Sequence, residues 1–329
     1  MAVTRAIVIP APHQIELRDV QLLDAGPDDV VVQTAYTSIS AGTERMLLAG
    51  RMPHPMLQFP VVPGYETVGR IVGRGANVPA EYEGRRVYVG GARCFQGVNP
   101  AWGGQSATLQ VDYRRVVSLE GVPPEQGVLL ALAATALHGV DLVAGERHAG
   151  GDLAGRRVLV LGQGPVGQFA ARIARNRGAW VAVSDRVASR LAQSRADICI
   201  DASVTPLAAA IVQPVDTIIE ATGSMVALVD ALSLLAPDGT VVLLGYYDEL
   251  RLPYMPLFLK QARLLTAKEW AAGDLERSRD MLAAGVLGAE ALITHRMAVE
   301  QFEEAYAIAL NEPECLKLVL VWEELRAES

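Results

Sequence analysis

"VLVLGQGPVGQFAARIAR", residues 158–175, is the stretch on which the fold turns. Four apolar residues, 158–161, have the length and composition of a buried strand. They run without a linker into Gly162-x-Gly164-x-x-Gly167, and helix-forming residues follow. Each glycine has its own task in such a turn. Gly162 permits the tight reversal, Gly164 lets backbone approach a pyrophosphate, and Gly167 lets helix and strand pack closely. Pro165 and Val166 fall in the first helical turn, where a missing proline N–H costs nothing. The free N–H groups and the positive end of the helix dipole then face an anion.

A second run, "WVAVSD", ends in Asp185, 23 residues after Gly162. A carboxylate there accepts hydrogen bonds from ribose hydroxyls and repels a 2′-phosphate, so NAD is expected over NADP. Arg186 pulls the other way, since a guanidinium attracts that phosphate. Two later apolar runs, 218–224 and 241–247, end in Thr222-Gly223 and Gly245, where the crevice of a parallel sheet opens. The plainer alternative is that these glycines only close turns and that Asp185 only caps a loop.

Outward from this core the chain changes character. Residues 126–271 alternate strand and helix, the pattern of a doubly wound parallel sheet in an α/β protein. Residues 1–125 hold short β-branched runs broken by Gly, Pro and Asp, which suits an antiparallel barrel or sandwich. Residues 272–329 carry two amphipathic helical stretches and the strand-like "CLKLVLVW".

Composition narrows the partners. Twenty per cent charged residues and a formal charge of −8 speak against nucleic acid and anionic membranes. Charges interrupt the N-terminal apolar run, which excludes a signal peptide from this reading and makes the cytoplasm the expected location. No uninterrupted apolar stretch is long enough for stable membrane insertion. Three cysteines, Cys94, Cys199 and Cys315, lack the spacing of a zinc site or disulfide framework.

The order β-rich domain, nucleotide domain and return strand resembles the medium-chain dehydrogenase/reductase superfamily along essentially the whole chain. That resemblance implies a GroES-like β-rich catalytic domain joined to a Rossmann domain. Members with catalytic zinc carry Cys before Gly-Thr/Ser-Asp and His in Gly-His-Glu. This chain has Ala41 before Gly42-Thr43-Glu44, and Tyr65 in Gly64-Tyr65-Glu66. The helical run "LLALAATALHG" contains no Cys or acid for a third ligand, and the four-cysteine lobe is missing. Zinc needs three or four deprotonated ligands, so none is expected here.

The blocks "SISAGTERMLLAGRMP", "PVVPGYETVGRIVG", "ARCFQGVNPAWGGQSATL" and "LLALAATALHGVDL" resemble a narrower family, the bacteriochlorophyllide a dehydrogenases. The resemblance implies oxidation of a 3-(1-hydroxyethyl) side chain to 3-acetyl on a (bacterio)chlorophyllide, with NAD as acceptor; a homodimer is compatible with it.

Without zinc a base or hydroxyl relay must take the alcohol's proton. The residues where the metal would have stood are Ser40, Thr43, Glu44, Tyr65 and Glu66, with His138 from the connecting helix. Tyr65 is a relay candidate and Glu66 a base candidate, while Thr135 suits the cofactor's carboxamide. Each also has a structural reading: a packed tyrosine, a structural ion pair, a core histidine. Met56 and Phe59 offer an apolar face to a flat macrocycle, and Arg51 or Arg93 a guanidinium to its propionate. The competing readings are a zinc-free NADPH quinone or enoyl reductase and a non-catalytic nucleotide-binding protein.

Overall fold

Residues 157–161 form the strand Arg157–Leu161, and the runs predicted around it assemble into one six-stranded sheet. The computed structural model describes residues 2–53, 57–144 and 151–322. Met56 lies outside them. The chain divides into two compact units, Leu132–Leu292 and Met1–Ala131 with Ile293–Ser329.

In the first of these the strands lie in the order Ile198–Asp201, Trp180–Asp185, Arg157–Leu161, Val215–Glu220, Leu235–Leu243, Arg263–Thr266. All neighbours are parallel. The order reverses between Arg157–Leu161 and Val215–Glu220, which is where a doubly wound sheet opens a ligand crevice. Val158, Leu159, Val160, Val181, Val183, Ile218 and Ile219 are fully buried. A sheet covered on both faces accounts for their unbroken apolar runs. Each such side chain contributes about 1.5–3 kcal/mol on burial, set against the entropy of fixing the chain.

The other unit is built on a seven-stranded sheet whose long central strand is Asp29–Ser38. It pairs antiparallel with Thr67–Arg74, with Thr108–Asp112 and, from the far end of the sequence, with Leu318–Val321. Leu318, Val319 and Leu320 are fully buried, so this late strand closes the core of the first domain. Two helices carry candidate residues: α1, Ala41–Leu48, follows Asp29–Ser38 at once, and α2 is Leu130–Ala144.

The return to the unit that holds Met1–Ala131 comes at Ile293, later than the expected residue 272. Ion pairs explain the delay. Asp141 of α2 is 3% exposed and receives Arg277 at 2.6 Å and Arg177 at 2.6 Å. Arg172 donates to the carbonyls of Leu287 at 2.6 Å and Gly288 at 2.7 Å. These polar contacts, which no hydrophobic pattern displays, join the buried Leu282, Leu287, Ala289 and Leu292 in holding residues 272–292 in the nucleotide unit. The division at the other end falls inside α2 rather than at residue 125/126.

One helical stretch, Pro124–Val143, is 20 residues long with mean hydropathy 1.5, enough by length and composition to cross a membrane. Its most apolar window is 72% buried inside the protein, as befits a core helix.

Candidate active site

The helix α3, Pro165–Asn176, begins at Gly164, with Pro165 as its first residue. The three glycines separate as their spacing suggests. Gly162 has φ +87°, and a Cβ there would lie 2.8 Å from the Thr222 side chain. A Cβ on Gly167 would collide with the Gly162 carbonyl. Nothing lies within 4 Å of a Cβ built on Gly164, so that side of the turn is open space beside the helix N-terminus. Gly162, Gly164, Asp185, Arg186 and Thr222 line one cavity of about 680 Å³, together with Arg190 and Thr205. Val166 and Gly167 follow in the first turn of α3.

Asp185 is fixed by backbone. Its Oδ2 accepts from Gln163 N at 2.6 Å, and its Oδ1 from Arg186 N at 2.7 Å and Val187 N at 2.9 Å. A carboxylate has about four acceptor positions, so one remains for a ligand hydroxyl. Open space at Gly164, a helix N-terminus and an oriented carboxylate in one cavity fit the adenosine and pyrophosphate part of a dinucleotide.

Sequence reasoning passed over Glu220, the last residue of Val215–Glu220. Its buried carboxylate accepts from Thr222 N at 2.6 Å, from Gly223 N at 3.1 Å, and from the Thr222 and Tyr247 hydroxyls. Desolvation, then the hydrogen bond to Glu220 and its charge, pushes the Tyr247 hydroxyl well above its ordinary range. Gly245 is needed by this turn: a Cβ there would lie 2.5 Å from Gly223 N and run into the Glu220 carboxylate. An acid directly after the buried pair Ile218 and Ile219, at the end of its strand, was the available signal. Thr135 and His138 sit on α2, where the His138 ring nitrogen is 3.5 Å from the Asp274 carboxylate, itself bonded to Ala271 N at 2.8 Å.

In the other unit, Ser40, Thr43 and Tyr65 come together. The Tyr65 hydroxyl is 2.6 Å from Ser40 Oγ and 3.4 Å from Thr43 Oγ1. Tyr65 is half-buried, and Tyr88 donates to its carbonyl at 2.6 Å. Its ring meets the edge of Trp102 at 5.2 Å between centroids. Trp102 in turn packs with Phe59, Leu57 and Met52 over Ile9, Leu47 and Val61. Burial, and then the Glu66 charge, raises the Tyr65 hydroxyl well above its ordinary range, so it stays protonated at any working pH.

Glu66 faces elsewhere. Its Oε2 accepts from the Ser38 hydroxyl and from Lys317 Nζ at 2.7 Å, while Oε1 has no hydrogen-bond partner. Lys317 is 3% exposed and also donates to the Ile39 carbonyl at 3.2 Å. The contact pairs the carboxylate with a buried lysine, the geometry of the structural alternative for this residue. Arg51 and Arg93 are exposed and Phe59 is half-buried.

The resemblance puts Ala41, Tyr65 and the run 129–139, which holds no Cys or acid, where the superfamily's zinc ligands are expected. Among the described residues no three His, Cys, Asp or Glu side chains converge to hold a metal ion. The donor set does not fit zinc.

Residues 26–121 match the alcohol dehydrogenase GroES-like domain and residues 165–303 the zinc-binding dehydrogenase domain. The chain is 33% identical to the 2-desacetyl-2-hydroxyethyl bacteriochlorophyllide A dehydrogenase of Cereibacter sphaeroides, over 97% of this chain and 98% of the relative. The Rhodobacter capsulatus protein of the same name is also 33% identical, over 98% and 99%. The chain belongs to the medium-chain dehydrogenase/reductase superfamily. Solved structures share the fold. An Escherichia coli protein described as a short chain alcohol dehydrogenase, complexed with NADH, superposes with TM-score 0.85 at 22% identity, covering 98% of this chain and all of that one. A Sinorhizobium meliloti zinc-binding dehydrogenase bound to NADP gives 0.81 at 22%, with the same coverage.

Proposed function

We propose that this medium-chain dehydrogenase uses NAD to oxidise the 3-(1-hydroxyethyl) group of a bacteriochlorophyllide to 3-acetyl, in the cytoplasm and without zinc. The observation that carries the reading is the Ser40–Tyr65–Thr43 hydroxyl cluster standing at a metal-ligand position. The two bacteriochlorophyllide dehydrogenases to which the chain is one-third identical support the substrate. The nicotinamide, when bound, supplies the hydride acceptor. The Gly162–Gly167 turn and the α3 N-terminus hold its phosphates, and Asp185 takes a ribose hydroxyl. Tyr65 orients the substrate alcohol: as the hydride leaves the carbon for the nicotinamide, the alcohol passes its proton to the phenol oxygen, the phenol passes its own to Ser40, and Ser40 passes its own on to solvent water, so the oxygen is never left as a free alkoxide. An alcohol next to a conjugated macrocycle loses hydride more readily than an aliphatic one, which makes a relay without a Lewis acid sufficient. Trp102, Phe59 and Leu57 give an apolar wall for the macrocycle, and Arg51 and Arg93 offer guanidinium groups to its propionate.

Incubation with NAD and a 3-(1-hydroxyethyl) bacteriochlorophyllide should shift the pigment's absorption and yield one NADH per pigment converted. An unchanged pigment spectrum with intact, NAD-binding protein would remove the proposal. Turnover is expected to survive exhaustive chelation, and elemental analysis should find no stoichiometric zinc; loss of activity with loss of zinc would reverse the metal assignment.

Arg186 and Arg190 line the cavity beside Asp185 and favour a second reading, a reductase that takes NADPH. Asp185→Ala separates the two. It is expected to weaken NAD binding by about 1–3 kcal/mol and to relax discrimination against NADP. Titrations with both cofactors check this, and an unchanged NAD affinity would take Asp185 away from the ribose.

A further inference from the structure

Ser40 is the N-cap residue of α1, yet its side chain makes no cap hydrogen bond. A serine at this position ordinarily turns its hydroxyl onto the free N–H groups of the first turn, a bond that stabilises the helix. Here the hydroxyl points to Tyr65 instead, at 2.6 Å. Ser40 is held from the other side by Glu44. Glu44 N donates to the Ser40 carbonyl at 2.8 Å, and Glu44 Oε1 accepts from Ser40 N at 3.0 Å. The other carboxylate oxygen, Oε2, accepts from the Tyr306 hydroxyl of the helix Phe302–Asn311. Glu44 is 1% exposed and Tyr306 2% exposed.

A buried acid is kept only where its bonds justify the loss of water. Its two carboxylate oxygens clasp the backbone of the residue whose hydroxyl meets Tyr65 on one side and a buried phenol on the other. We propose that Glu44, held by Tyr306, is a positioning residue that frees the Ser40 hydroxyl from the helix cap and presents it to Tyr65. The catalytic part of this inference rests on the reading of Tyr65 as the proton-handling group.

The surroundings make the arrangement sensitive to pH. Burial pushes the Glu44 carboxyl up to about 7, opposed by the Tyr306 and Ser40 hydrogen bonds; the Glu66 charge raises it further and Lys317 lowers it. Arg45, next on α1, directs its guanidinium to the Leu310 carbonyl. Only the ionised carboxylate accepts fully from both Ser40 N and Tyr306. Turnover should therefore rise through neutrality as Glu44 loses its proton.

The test has two arms on the full chain. In protein labelled with ¹³C at tyrosine Cζ, with Tyr65 and Tyr306 assigned from Tyr65→Phe and Tyr306→Phe, the resonances are followed from mildly acid to mildly alkaline pH. Both should move with one inflection near neutrality, and Glu44→Gln should abolish it. In the second arm, turnover of the hydroxyethyl pigment by Glu44→Gln should fall, by up to about 100-fold for a misplaced group, with the KM for NAD unchanged and the neutral rise in the pH profile gone. Tyr306→Phe keeps the carboxylate and removes a bond that favours its charge, so inflection and pH profile should shift together to higher pH. That variant carries the test if Glu44→Gln does not fold. A Tyr65 resonance without an inflection, or a Glu44→Gln enzyme with parental turnover and pH profile, would overturn the inference. If the parent leaves the pigment untouched while Tyr65 still reports the inflection, the substrate reading fails and the positioning role stands.

Discussion

Tyr65→Phe is expected to lower turnover by about 10²–10⁴-fold, the usual contribution of a positioned acid–base group, with NAD affinity as in the parent. The substitution removes one oxygen and keeps the ring against Trp102, so the apolar packing survives. The oxygen it removes meets both the Ser40 and the Thr43 hydroxyls. Because the Tyr65 hydroxyl titrates far above neutrality, the parent's pH profile should show no limb from Tyr65 itself. Ser40→Ala should reproduce part of the loss, since the relay then ends at the phenol. Steady-state kinetics with the pigment, beside direct NAD titration, decide it. Equal turnover in parent and Tyr65→Phe would leave Tyr65 as packing in a vacated ligand position.

The second large effect is on stability. Lys317→Met leaves the Glu66 carboxylate buried at 1% exposure with the Ser38 hydroxyl as its remaining partner. Breaking a buried pair on one side typically costs about 3–5 kcal/mol, a large share of the stability of a domain. Glu66→Leu should cost a comparable amount by leaving the ammonium unpaired. Lys317→Met combined with Glu66→Leu should recover most of it, since no charge is then left in the core. Denaturant unfolding of the single and double variants gives the coupling. Additive losses would mean that the two side chains are stabilised independently, and would reopen Glu66 as an ordinary base candidate.

Glu66 also shows where reading the chain stopped short. Tyr65-Glu66 reads as two adjacent candidates for one task. The structure splits them: Tyr65 turns to Ser40 and Thr43, and Glu66 to Lys317. The partner that decides the matter lies 251 residues away. Lys317 sits inside the apolar run "CLKLVLVW" and is the visible irregularity in it. Tyr306 is likewise one aromatic among the apolar residues of an amphipathic helix until that helix meets α1. Trp102 carried only the hint of its neighbouring glycines.

What the sequence determined by itself is local. The strand, the three glycines, the proline at the start of α3 and the acid closing the second strand act over a few residues of backbone geometry or through one strand-to-strand step. Their spacing is therefore legible in the chain. So is the replacement of metal ligands by Ala41 and Tyr65, which is a matter of residue identity. The tertiary structure alone decided the rest: which acid is neutralised, which hydroxyls touch, and where the chain leaves the nucleotide unit. Those outcomes depend on buried polar groups, whose cost obliges each to find a partner without fixing how far along the chain that partner stands.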